Sequence, residues 1–541
     1  MKEKKNNRFM PLIMALCVVL GILLGTFYAN HFGGTRLNII TSGSNRINNL
    51  LNIINDQYVD SVDIDSLVEI AIPQILSELD PHSVYISAKD AQVTADELKG
   101  SFGGVGIEFV IRNDTIQVQG VIANGPAERA GVLAGDKIVT INGDTFVGKV
   151  VTNQEAMLRL RGEKGTKVTI GVLRYGSDNI EQLTLTRDEI TQISISAVYM
   201  LDDNTGYIRV KSFGDNTYME MLIALAKLST MGLENLVIDL RDNTGGYLEA
   251  AINMANEFLP KNKLIVYTEG RHSKRKEYKS DGRGNFQNIP LVVLINEASA
   301  SAAEIFAGAI QDNDRGTIIG RRSFGKGLVQ QQMDFPNGSL IRLTVARYYT
   351  PSGRCIQKPY SGGSDYEEDL LTRYQHGEFF SSDSIKHDGP EYHTSIGRTV
   401  YGGGGITPDI FVPEDTSDIT SYYKEAAMTG LIQQFAFQYT DEHRQQLNEM
   451  STMDDLARYL SRQDLVEQFA HYGESHGLKR RNNLIRRSRR PLQRYIISRI
   501  IYNIMDESDW MQYLNQDDHV ISTALDVCRQ NAATPQLPKS D

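Results

Sequence analysis

Cysteine is scarce in this 541-residue chain. Only Cys17, Cys355 and Cys528 are present, and no two of them make a C-x-x-C pair. A disulfide framework and a cysteine-built zinc site therefore lack the residues they need. A single Cys355–Cys528 bridge is the one pairing the sequence leaves open. None of the ten histidines falls in an H-E-x-x-H pattern, which removes support for zinc peptidases of that type. Positive charge is also short. The 56 Lys and Arg against 67 Asp and Glu leave a net charge of -11, the wrong sign for a general nucleic-acid binder. Low-complexity tracts are absent too. What remains is an ordinary globular composition, 41% hydrophobic and 23% charged. Its length suits roughly three or four domains.

One apolar run, residues 9–28, follows Lys2, Lys4, Lys5 and Arg8. About 20 apolar residues suffice to cross a bilayer, and the basic flank keeps the N-terminus in the cytoplasm with the remainder exported. Phe27-Tyr28-Ala29 supplies only one small residue for a cleavage site, so residues 1–30 fit an uncleaved anchor better than a removed signal. The expected location is the cell envelope, with the bulk of the chain on the exported, periplasmic side.

The rest divides by periodicity. Residues 44–90 read as helical and end in the turn Asp80-Pro81-His82-Ser83. Residues 91–190 form a β-rich module, with strands at 105–111, 115–121, 137–141, 168–173 and 183–187 and one helix at 153–160. In residues 191–415, apolar strands at 236–240, 291–295, 317–320, 328–335 and 340–349 accompany helices at 248–258 and 301–311. That alternation predicts a buried α/β sheet. Residues 358–400 are polar and Gly-rich and read as loop. Residues 416–541 turn helical and polar, and carry Arg480, Arg481, Arg486, Arg487, Arg489 and Arg490. Such a run suits a solvated helix face or contact with an anionic membrane or partner.

Chemistry concentrates at three places in the α/β segment. Ser301 follows the strand 291–295 at the start of a helix, where free amides and the positive dipole end gather, and the Ala302 amide is a candidate oxyanion donor. A serine there can also be a simple N-cap, as can Ser299. A hydroxyl nucleophile needs a base, and Lys326 sits in Ser323-Phe324-Gly325-Lys326-Gly327 between two apolar strands. Burial lowers a lysine pKa; a fall from about 10.4 to about 7 corresponds to roughly 4–5 kcal/mol. The loop lacks the first glycine and the Ser/Thr of a P-loop. A second backbone donor is available from Asp242-Asn243-Thr244-Gly245-Gly246, beyond the end of the strand at 236–240. In the β-rich module, Gly103, Gly104, Val105, Gly106 and Ile107 form a Gly-rich turn entering a strand. That pattern can bind a terminal carboxylate and add an extended peptide to a sheet edge, with the helix at 153–160 as the other wall.

Two resemblances organise these pieces. Pro126-Ala127-Glu128-Arg129-Ala130-Gly131-Val132 and the stretch through Gly135-Asp136-Lys137-Ile138 to Asn142-Gly143 resemble a bacterial PDZ domain. The carboxylate loop departs from the common Gly-Leu-Gly-Phe form. Several segments together resemble the carboxy-terminal processing (tail-specific) proteases over about residues 45–415. They are Leu79-Asp80-Pro81-His82-Ser83, Ile238-Asp239-Leu240-Arg241-Asp242-Asn243-Thr244-Gly245-Gly246, Ala298-Ser299-Ala300-Ser301-Ala302-Ala303-Glu304-Ile305, Ser323 to Gln330, Tyr348 to Arg354 and Gly405-Ile406-Thr407-Pro408-Asp409. Ser323 stands where the family usually has Thr, and Thr244 where Pro or Asn is common.

The resemblance implies a multidomain α+β chain: a PDZ domain, a crotonase-like α/β catalytic core, and helical N- and C-terminal regions. It implies a serine endopeptidase with Ser301 as nucleophile, Lys326 as general base and Gln330 orienting Lys326. The oxyanion donors would be the amides of Ala302 and of Gly245 or Gly246, with Glu304 and Asp312 in support. No metal or cofactor is called for. The implied partners are proteins held by their C-terminal tails, and the membrane through the N-terminal segment; an adaptor or a second copy is left open. A PDZ scaffold with an inactive or gated core is the alternative.

Overall fold

The computed structural model describes residues 14–16, 18–22, 43–91, 100–112, 114–148, 151–174, 177–360, 366, 368–387 and 389–530. The chain divides into two compact units, residues 1–74 and 75–541. In the first, residues 14–16 and 18–22 are helical, followed by α1 (Gly43–Gln57) and most of α2 (Ile64–Ser77). The apolar run expected to cross a membrane lies largely outside the described residues. Among those described, no helix is long and apolar enough to do so.

In the second unit the helical expectation for residues 44–90 ends early, because Val84–Ile86 is a strand, β1. The break has a local cause. The buried Asp80 carboxylate accepts the amides of His82 (2.8 Å) and Ser83 (2.9 Å), and its other oxygen accepts the Ser83 hydroxyl (2.6 Å). This Asx-type turn competes with helical hydrogen bonding and sends the chain out extended.

The β-rich module contains β2 (Ser101–Gly104), β3 (Ile107–Arg112), β4 (Thr115–Val121), β5 (Lys137–Ile141), β6 (Asp144–Thr145), β7 (Lys167–Leu173), β8 (Ile180–Thr186) and β9 (Asp188–Thr191). Its main sheet runs β3-β4-β5-β7-β8, so β3 is an edge strand; β2 pairs separately with β9. Helix α3 (Asn153–Leu160) starts where Thr152 accepts the Glu155 amide, and its Ala156 and Leu160 share one core with Val105.

The α/β segment holds two sheets. The first runs β10 (Ile195–Met200), β11 (Thr205–Val210), β12 (Asn235–Asp239), β15 (Leu291–Ile295), β16 (Thr317–Gly320) and β21 (Ile410–Phe411), parallel except for the β10–β11 pair. Between β12 and β15 in the chain come β13 (Leu264–Glu269) and β14 (Lys276–Lys279), which belong to the second sheet. Between β16 and β21 come β17 (Leu328–Asp334), β18 (Leu340–Tyr349), β19 (Glu391–His393) and β20 (Thr399–Tyr401). The second sheet runs β1-β18-β13-β14, with β17 as a hairpin on β18. Helices α4 (Thr217–Thr230), α5 (Leu248–Phe258) and α6 (Ala302–Asp312) cover one face of the first sheet, packing with Leu236, Ile238, Leu291, Val293 and Ile295.

The opposite face carries Tyr207, Val237, Val292 and Leu294, and its cover comes from the chain's far end. Met511 of the helix Glu507–Asn515, and Val520, Ile521, Ala524 and Val527 of the helix His519–Arg529, complete that core. Strands buried on both faces read as continuous apolar runs, and here each layer is accounted for. Six helices between residues 421 and 504 form a core of their own around Phe435, Phe469, Ile496 and Ile500. They also hold the β-rich module: Arg112 donates to the Gly430 carbonyl (3.0 Å) and Gln433 Oε1 (3.3 Å), and Tyr502 to Glu108 (2.5 Å).

The loop expected at 358–400 contains a helix, Asp369–Gln375, and the β19–β20 hairpin. Buried ion pairs organise it, Lys358 with Asp369 at 3.0 Å and Arg373 with Glu378 at 2.8 Å. Cys355 and Cys528 are both free, so the bridge left open by the sequence is not made.

Candidate active site

Ser301 lies at the junction of β15 and α6 with φ 54° and ψ -114°. A non-glycine residue with positive φ is uncommon, and holding one there costs about 1–3 kcal/mol. Neighbouring groups enforce it. The Ser301 amide donates to Glu304 Oε2 (2.9 Å), its carbonyl accepts from Tyr348 Oη (3.1 Å), and the Ala300 amide donates to the Asn243 carbonyl (2.9 Å). Ser301 occupies the N-cap position of a capping box in which Glu304 accepts its amide, and it lines the cleft as well. Ser299 is structural: its buried hydroxyl donates to the Leu240 carbonyl (2.8 Å).

Glu304 joins the two halves of the site. Its fully buried carboxylate accepts the amides of Ser301 (2.9 Å), Gly325 (2.7 Å) and Lys326 (2.9 Å) and the Ser323 hydroxyl (2.5 Å). Burial pushes this carboxyl up to about 7, against four donors that each hold it down. Ser323, where a threonine was the family's usual residue, keeps the hydroxyl this contact needs. Tyr348 Oη donates to the Lys326 carbonyl as well as to that of Ser301, tying the serine and lysine loops together from the other side.

Burial lowers the Lys326 pKa. Glu304 and Asp80 oppose that fall and Arg342 adds to it. His82 is pushed down to about 4, first by burial and then by Lys326, so it is neutral near pH 7. Gln330, on β17, lines the cleft, but its Nε2 donates to Thr344 Oγ1 (3.4 Å) and it makes no hydrogen bond to Lys326. The expected Gln330–Lys326 contact is thus absent here. No hydrogen bond joins Ser301 Oγ to Lys326 Nζ in this conformation either.

The two glycines of the 242–246 loop separate in role. The Gly245 amide is committed to Asn243 Oδ1 (2.8 Å), while Gly246 lines the cleft. Gly245 (φ 102°) lies so close to the serine that a Cβ there would stand 2.7 Å from Ser301 Cβ and 2.9 Å from the Ala302 amide. The site geometry therefore requires glycine at 245. Ala302 follows the serine at the helix start. Asp312, at the far end of α6, pairs with fully buried Arg354 (2.7 Å) and accepts Ser352 Oγ (2.6 Å), anchoring the turn after β18. It supports the scaffold from a distance.

Ser301 opens on a cleft of about 670 Å³ lined also by Gly246, Tyr247, Leu248, Ile305, Leu328, Gln330 and Tyr348; Lys326 is not among its lining residues. Asp215 and Glu249 supply its charged side chains. Among the described residues, no cluster of three His, Cys, Asp or Glu side chains could hold a metal ion.

In the β-rich module, Gly103 and Gly104 are drawn into β2, opposite Glu189 and Asp188, and are not part of a free loop. The Val105 carbonyl accepts the Ala127 amide (2.9 Å), and Gly106 (φ 76°) turns the chain into edge strand β3 at Ile107. The candidate carboxylate turn is therefore Val105, Gly106 and Ile107.

Tyr348, Thr344 and Asp80 escaped the sequence reading of the site. Tyr348 looks like an ordinary buried strand residue. Asp80 and His82 were visible as a turn and as part of the family resemblance, but with no role at a site more than 240 positions further on.

Family comparison matches residues 204–364 to peptidase family S41, residues 103–216 to the PDZ domain, and residues 422–506 to a family of unknown function. A carboxy-terminal-processing protease of Bartonella bacilliformis is 36% identical over 378 residues, 69% of this chain and 85% of that protein. The carboxy-terminal processing protease CtpA of Bacillus subtilis is 34% identical over 361 residues, 66% of this chain and 76% of that protein. Among solved structures, a photosystem II D1 C-terminal processing protease is 28% identical with a TM-score of 0.37, over 67% of this chain and 86% of its own.

Proposed function

The chain belongs to peptidase family S41, as a carboxy-terminal processing serine protease with a PDZ domain, and from that premise we propose that it cleaves exported proteins, held by their C-terminal tails, through a Ser301–Lys326 dyad. The observation that carries the reading is the convergence on one carboxylate: Glu304 fixes the backbone of Ser301 and of Lys326 together. A lysine whose pKa is lowered by burial suits the role of base.

In the proposed reaction the neutral Lys326 amine takes the Ser301 hydroxyl proton as Oγ bonds to the scissile carbonyl carbon. The resulting oxyanion is received by the amides of Ala302 and Gly246. Lys326 then passes its proton to the leaving nitrogen as the C–N bond breaks, leaving an acyl-serine. Water attacks the acyl carbon, Lys326 accepts the water's proton, and the proton returns to Ser301 as the acid product departs.

The PDZ module presents β3 as an edge to which a substrate tail can add as a strand. Export rests on the basic and apolar sequence of residues 2–28. The test compares the C-termini of exported proteins in cells with the wild-type chain and with Ser301→Ala. A set of untrimmed C-termini in the variant is expected; identical termini in both would contradict the proposal.

A gated state is favoured by one specific observation: Ser301 Oγ and Lys326 Nζ share no hydrogen bond. In this reading a peptide in the PDZ groove raises turnover. Equal rates with and without a tail-mimicking peptide would dismiss it.

A further inference from the structure

The Asp80–Ser83 turn is part of the sequence resemblance, yet the dyad chemistry gives it no task. It is buried: Asp80 is 7% exposed and Ser83 3%. Asp80 Oδ1, besides the amides of its own turn, accepts from Thr344 Oγ1 (3.1 Å), and Ser83 Oγ accepts the Thr344 amide (3.1 Å). The next strand, β1, pairs with β18 from Val84 opposite Arg342, two residues before Thr344. Thr344 in turn stands opposite Gln330 in the β17–β18 ladder, beside a bulge at Val329 and Gln330, and accepts from Gln330 Nε2 (3.4 Å).

The directions of these bonds matter. The Thr344 hydroxyl donates its proton to Asp80 Oδ1, so its lone pairs are left to accept from Gln330. That places the Gln330 amide nitrogen toward Thr344 and leaves Oε1 as the acceptor. We propose that Asp80, acting through Thr344, sets which way round the Gln330 amide lies, so that its oxygen can accept an N–H of Lys326 and aim the lysine lone pair at Ser301. Asp80 and Thr344 are positioning residues, and the inference rests on the dyad reading above. A reversed amide would face the lysine with a donor.

Thr344→Val removes the hydroxyl at nearly constant shape, whereas Thr344→Ser keeps it. Thr344→Val should lower kcat by roughly tenfold or more with KM within about twofold, and Thr344→Ser should stay within about threefold of wild type. In a Gln330→Ala background the valine substitution should cause no further loss, because the pathway is already cut. A purely structural role would cost the same factor in both backgrounds, and that result, or wild-type kcat in Thr344→Val, would overturn the inference. The Gln330→Ala arm still decides if the valine variant is less stable. Turnover retained by Ser301→Ala would overturn the dyad reading and this inference with it. Ser301-dependent turnover indifferent to Thr344→Val would overturn this inference alone.

Discussion

Glu304→Gln is the most searching single substitution, because shape is kept while the charge and the pattern of acceptors change. The wild-type Oε1 accepts the Ser323 hydroxyl and the Gly325 amide, and Oε2 accepts the amides of Ser301 and Lys326. Glutamine has one acceptor oxygen and one NH2 group. With its oxygen kept toward the Ser301 and Lys326 amides, the NH2 can donate to the Ser323 hydroxyl oxygen, and only the Gly325 amide loses its acceptor. A buried donor left unsatisfied costs about 1–3 kcal/mol, so that is the loss in this better orientation. That is an appreciable share of the roughly 5–15 kcal/mol that holds a typical domain folded. The damage is local to the strained Ser301 and the Lys326 loop, so activity should fall further than global stability, by about 100-fold or more in kcat. Glu304→Ala leaves all four donors bare and should prevent a stable core. Urea unfolding of the purified variants, with turnover of an unfolded model protein measured in parallel, checks both. A glutamine variant within about 0.5 kcal/mol of wild type and fully active would refute the claim that this carboxylate organises the site.

Gly245→Ala should abolish turnover, because its Cβ would fall 2.7 Å from Ser301 Cβ and 2.8 Å from the Ala300 carbonyl at a φ of 102°; steady-state kinetics beside a folded circular-dichroism spectrum checks it. The base form of Lys326 exists above its lowered pKa, so kcat should be lost as pH falls through that value. Arg342 adds to the lowering while Glu304 and Asp80 oppose it, so Arg342→Ala should move this limb of the pH–kcat profile to higher pH, and an unmoved limb would contradict it. Arg112→Ala removes two hydrogen bonds from the PDZ module to the C-terminal helices and should weaken that contact by about 1–3 kcal/mol, seen as faster hydrogen exchange in β3 and β4.

The parts of the fold legible in the sequence are those fixed by local pattern. Strands β15 and β18 and helices α3 and α5 fall at the expected residues because their apolar spacing is unambiguous over their whole length. Residues 358–400 read as loop because their order comes from ion pairs such as Lys358–Asp369, which have no periodicity. The apolar strands announced that both faces of the sheet were covered. They could not say that the second cover was the helix His519–Arg529, over 220 residues beyond β15. The same distance hid the tie between Asp80 and Thr344. Gly103 and Gly104 looked like a free loop because glycine reports permissiveness, and the β9 partner that extends them is encoded elsewhere. Gln330 lines the cleft, but its hydrogen bond to Thr344 depends on a cross-strand register that a spacing of four from Lys326 does not specify.

Ser301 and Lys326 are proposed to perform the chemistry together. The direct measurement is cleavage of a model unfolded protein bearing an apolar C-terminal tail by the purified wild-type, Ser301→Ala and Lys326→Ala chains, with folding of each confirmed by circular dichroism. Cleavage by the wild type and none above background by either folded variant is expected. Wild-type-like cleavage by either variant would contradict the proposed dyad.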